Sequence, residues 1–168
     1  MAEKYPLEEV LKIKKRRFDE AIRILEEKKE ILVKEEKKLK QLEEKRDEAL
    51  KHKNDKLTQV REALDTGQSA IKIQEMKRYL KTVENKLQEH QKKVDEQKTH
   101  VKNAEKQVEV AKQNVIQKQK DLEKLRIHKK EWLKDYEKEE SRQEEIKHDE
   151  LGSVIHEKKR RENFHKKS

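Results

Sequence analysis

The chain has 168 residues, of which 30% are hydrophobic, 4% aromatic and 49% charged, with a formal net charge of +9. So little apolar material excludes a thick globular core and leaves two classes, disordered chain or long exposed helices, between which the periodicity of the apolar residues decides. No apolar stretch approaches the ~20 residues of a membrane span and residues 1–9 lack the apolar core of a signal peptide, so the expectation is an intracellular chain without membrane insertion.

Leu11, Phe18, Leu25, Leu32 and Leu39 recur at intervals of seven, with Ala21, Leu42 and Ala49 supplying a second seam position. This is the heptad pattern of a coiled coil. The series then resumes as Leu50, Leu57 and Leu64, an apparent slip of four that reads as a stutter within a continuous helix. The segment Asp65-Thr66-Gly67-Gln68-Ser69 pairs a helix-stopping glycine with a capping serine, and Gly152 is the only other glycine. The hairpin turn is therefore expected at residues 65–70, between a helix over 7–64 and a second over 71–150.

The second helix carries Leu80, Leu87, Val94, Val101, Val108, Val115 and Leu122 at strict sevens. Folding back at Gly67 sets Leu25 against Val108 to Ala111, and Leu11 against Leu122 to Leu125. At ~1.5 Å per residue the helices would measure about 87 and 120 Å, so everything after about Ile127 is expected to overhang the first helix. That overhang holds Trp132, Leu133, Tyr136, Ile146, Leu151, Val154 and Ile155. Residues 156–168 carry six Lys or Arg against two Glu and read as a basic, flexible tail, while residues 1–155 form a single coiled-coil hairpin. The expected fold class is all-α: a long antiparallel two-helix coiled-coil hairpin whose C-terminal helix overhangs the N-terminus.

Enzyme chemistry is not expected. Two isolated glycines cannot form a phosphate-cradling loop, and the seven histidines include no pair four apart for a helical metal clamp. There is no cysteine, hence no disulfide or thiol chemistry, and the abundant carboxylates have no concave pocket to make them an acid and a base. Neither a cofactor nor a metal is expected. Nucleic acid is not an expected partner, because the charge excess is concentrated in the tail and few aromatics are available for stacking. Trp132 and Tyr136 lie four apart on one face, so they are either interface anchors or a seat for Tyr5 to Val10.

Certain stretches, in this order and spacing, resemble the stalk proteins of type III secretion and flagellar export, the YscO and FliJ family, and most closely its chlamydial, CdsO-like branch. They are Tyr5-Pro6-Leu7-Glu8 with Leu11, Ile13-Lys14 and Arg17; Gly67 at the turn; Met76-Lys77-Arg78-Tyr79-Leu80; His128-Lys129-Lys130-Glu131-Trp132; and Asp149-Glu150-Leu151-Gly152. The resemblance implies a cytoplasmic coiled-coil hairpin, peripheral to the inner-membrane export apparatus, that is a monomer in isolation. It implies partners as well: the hexameric export ATPase, the cytoplasmic domain of the export gate, and secretion chaperones. In the flagellar branch the gate is contacted near the start of the second helix, which corresponds here to Ile73, Met76, Tyr79, Leu80 and Val83. The alternative is a structural spacer or a homo-oligomeric coiled coil, in which helices pair between chains.

Overall fold

A computed structural model describes residues 3–167; Met1 and Ala2 of the expected hairpin domain and Ser168 of the expected tail lie outside the described residues. Two helices account for nearly all of it, α1 (Glu8–Asp65) and α2 (Ala70–Lys166). They pack against each other antiparallel as a helical hairpin, the expected fold class. Packing divides the chain into two compact units, Met1–Phe18 with Gln117–Ser168, and Asp19–Ile116, and each helix runs through both.

The turn follows from local chemistry. Gly67 adopts φ +72°, a left-handed conformation that costs other L-residues a Cβ clash. Its N–H donates to the Leu64 carbonyl at 3.3 Å and the Gln68 N–H to the Ala63 carbonyl at 3.1 Å, the paired bonds of a Schellman motif. Two otherwise orphaned carbonyls of α1 are thereby satisfied. Ser69 then caps α2, its Oγ accepting from the Lys72 N–H at 3.4 Å.

In the unit Asp19–Ile116 the seam is built mainly from small residues. Ala21, Val60 and Ala63 are buried on α1, and Val83, Val94, Val101, Ala104, Val108 and Ala111 on α2. The Lys28 ammonium donates to the Gln107 side-chain carbonyl at 3.2 Å, which sets Leu25, one turn earlier, level with Val110 as the heptads require. One seam layer is polar: the buried Gln97 amide donates to the Glu35 backbone carbonyl at 3.0 Å and to its carboxylate at 2.5 Å. Such a layer is satisfied in one alignment only, so it selects register.

The expected stutter does not occur. Leu50 and Leu64 are 43% and 52% exposed, whereas the uninterrupted sevens continue through half-buried Arg46, Ala49 and Lys53 to buried Val60 and Ala63. The reason is the partner: α2 keeps strict sevens along this stretch, and a slip in α1 would turn its apolar stripe away from them. Arginine and lysine stems cover the seam where leucine is missing, while their charged heads stay in water.

In the unit Met1–Phe18 with Gln117–Ser168, Leu122 and Tyr5 are buried. Lys14 reaches Asp121 at 4.0 Å and Glu8 reaches Lys129 at 2.8 Å, which continues the antiparallel order. Helix α2 does not stop near residue 150; it continues through Gly152 and the basic run to Lys166, so the tail expected as flexible is helical. A lone glycine costs a helix only ~1 kcal/mol relative to alanine, and without proline or a capping sequence it does not end one. The covered part of α2 also extends further than expected. Cover persists to Tyr136, and it is from Glu137 to Lys167 that every residue is exposed.

Candidate partner-binding surfaces

The first candidate surface lies where α2 begins. Ile73, Met76 and Leu80 are half-buried on the seam side and Val83 is 4% exposed within the seam itself, so Tyr79, 48% exposed, offers the most accessible surface of the group. Its ring is held from α1. The His52 Nε2 lies 3.3 Å from the Tyr79 hydroxyl with the two rings perpendicular, and the Lys56 ammonium sits 5.4 Å from the ring centroid. Cation–π attraction at an exposed site is worth about 0.5–1 kcal/mol, enough to favour one ring position. Beside it a groove of about 290 Å³ is lined by Val60, Met76 and Tyr79 with Lys56, Lys72 and Glu75. An apolar floor with charges at its edge suits a protein partner better than a small polar substrate.

His52 and Lys56 escaped the sequence reading because α1 alone gives no sign of them. The antiparallel register is the signal that finds them, since a turn at Gly67 brings that stretch of α1 level with Tyr79.

The second candidate surface is aromatic. Trp132 and Tyr136 stack with centroids 5.4 Å apart and planes 19° from parallel. Tyr5 packs edge-on against Trp132 at 5.5 Å, and its hydroxyl shares a 2.5 Å hydrogen bond with the His128 Nδ1. A turn delivers it: the Tyr5 carbonyl accepts from the Glu8 N–H at 3.1 Å across Pro6-Leu7, proline's fixed φ suiting the first corner. The Glu3 N–H then donates to the Tyr136 hydroxyl at 3.5 Å. Of the two readings of Trp132 and Tyr136, the structure supplies the seat, with Tyr5 as its occupant. Both aromatics remain half-exposed, so one face of the pair is still open.

Neither surface holds convergent catalytic groups, and among the described residues no three His, Cys, Asp or Glu side chains cluster as a metal site. No helix of the described residues is long and apolar enough to cross a membrane. What the geometry defines is a helical-hairpin coiled coil with two partly exposed, aromatic-containing surfaces.

The comparisons place this class in a particular family. The model of the YscO-like proteins matches residues 2–162, and the chain belongs to that family. A solved structure described as that of a YscO homolog, CT670, from Chlamydia trachomatis is 42% identical, covering 93% of this chain and 96% of that one with a TM-score of 0.89. No curated protein matches the sequence. Membership makes the chain a type III secretion-related protein.

Proposed function

We propose that this protein is a non-enzymatic stalk and escort of a type III secretion apparatus. In this reading it binds the export ATPase hexamer, the cytoplasmic domain of the export gate and secretion chaperones. It works in the cytoplasm, peripheral to the inner-membrane export apparatus, and is a monomer at low concentration. The carrying observation is the family match over residues 2–162 of a chain folded as a hairpin. The physical fit supports it: two antiparallel helices sharing an apolar seam leave their outer faces to meet partners, and those faces carry charges of both signs.

In the proposal Met76 and Tyr79 contact the gate, with Ile73, Leu80 and Val83 shaping the backbone beneath them, and Trp132 and Tyr136 contact the ATPase. The test uses purified cognate ATPase and gate domain against two double variants. Alanine at Met76 and Tyr79 weakens gate binding and leaves ATPase binding in place; alanine at Trp132 and Tyr136 does the reverse. Each loss is about 2 kcal/mol, the scale of an aromatic anchor. Circular dichroism must show unchanged helix content in both. If the wild-type chain binds neither partner and both variants secrete normally in cells, the coiled-coil spacer reading replaces this one.

A further inference from the structure

The exposed end of α2, from Glu137 to Lys167, has an ordered charge pattern that the proposed partners do not account for. Residues 137–150 carry seven Asp or Glu against three Lys or Arg, and residues 151–168 carry six Lys or Arg against two Glu. The reversal is sharpest along one face. Glu137, Glu144, Leu151, Lys158 and His165 follow one another at intervals of seven, so they share one side of the helix. About Leu151 the series sets the carboxylates of Glu137 and Glu144 on one side against His165 and the Lys158 ammonium on the other. Around that centre the same side is apolar, with Leu151 58%, Val154 63% and Ile155 53% exposed. Beside Leu151 stands Gly152, within 4 Å of which an added Cβ would meet nothing, leaving open space for a close approach.

We infer that this face is an interface for a second copy of the same chain, crossing antiparallel at Leu151 and Gly152. A two-fold axis there brings Glu144 to the second copy's Lys158 and Glu137 to its His165, and each pair forms twice, as an isologous contact requires. The same axis sets Glu140 level with the second copy's Glu162, so the favourable charge pairing is confined to the series at intervals of seven. A parallel pair would instead set Glu144 on Glu144 and Lys158 on Lys158, so charge selects the antiparallel arrangement. An anionic membrane would attract residues 158–167 but repel the acidic run before them, whereas a second copy satisfies both halves. The contact is one helix wide and exposed to salt, so it forms at high protein concentration and weakens as ionic strength rises.

The experiment measures the mass of the full chain by sedimentation equilibrium from about 1 to several hundred µM, a span that brackets a weak isologous contact. The expected result is a 20.4 kDa monomer at the low end that moves towards twice that mass at the high end, and less so in high salt. Glu144→Lys weakens the association about tenfold by turning two attractive pairs repulsive. The double variant Glu144→Lys/Lys158→Glu restores it, which a merely destabilised helix would not do. Leu151→Cys gives a rapid disulfide-linked dimer, while Ser141→Cys does not, because antiparallel crossing separates the two copies of residue 141 by roughly 30 Å. A mass that stays monomeric throughout overturns the inference. So does failure of the charge swap to rescue, equal crosslinking at the two cysteine positions, or binding of the tail to phosphatidylserine vesicles without self-association.

Discussion

Removing the Tyr5 ring should release the N-terminal stretch from α2 and leave both helices intact. Tyr5 is 5% exposed, held by the edge-on contact with Trp132 and by the hydrogen bond to His128. A buried aromatic covers 150–250 Å², which at ~25 cal/mol per Å² amounts to roughly 4–6 kcal/mol as an upper bound. Against it stands the cost of ordering residues 3–7, about 1–2 kcal/mol per residue for the backbone alone. Nothing else in that stretch is buried, so docking is a near balance that one large side chain tips. Tyr5→Ala should therefore undock the stretch. Tyr5→Phe, which loses only the hydrogen bond, should cost about 1 kcal/mol and leave it docked. Trp132 is the single tryptophan of the chain and reports directly. In Tyr5→Ala its emission should shift to the red and acrylamide should quench it more strongly, with helix content unchanged, while Tyr5→Phe should stay close to wild type. Identical emission and quenching in Tyr5→Ala and wild type would refute the packing argument.

Two further substitutions test the turn and the seam. Gly67→Ala should cost about 1–2 kcal/mol in chemical denaturation, because the residue sits at φ +72° with nothing nearby to clash and the penalty is the backbone's alone. The same change at Gly152, measured at low protein concentration, should have the opposite sign and raise helix content, since that glycine is an ordinary helical position. Gln97→Leu should stabilise the hairpin by about 1 kcal/mol, because it replaces a polar seam layer with an apolar one and the Glu35 carboxylate, already 3.7 Å from the Lys38 ammonium, can turn to water. Gln97→Ala should lower the denaturation midpoint instead, and a fall in both variants would mean that the polar layer contributes net stability.

The family was legible from short stretches of sequence, and much of the fold from its periodicity. The sevens from Leu80 to Leu122, the left-handed glycine at 67 and the capping serine at 69 are local signals, each read from a few neighbouring residues, and the folded chain uses all three. Where local reading misled, the missing information was the partner helix. Leu50 and Leu64 look like seam residues until the strict sevens of α2 are set opposite them, whereupon Ala49, Val60 and Ala63 carry the seam and the leucines face outward. Gly152 looks like a stop, but a helix ends when capping and solvation outweigh continuation, and one glycine without a cap does not outweigh it. The aromatic end depended on a still longer-range event, the return of Tyr5 over Trp132 after the turn at Pro6. The surroundings of Tyr79 depended on the antiparallel register that brings His52 and Lys56 beside it. Heptad spacing along one helix determines which side is buried; what each residue meets there is decided by register, which exists only once the second helix has folded back.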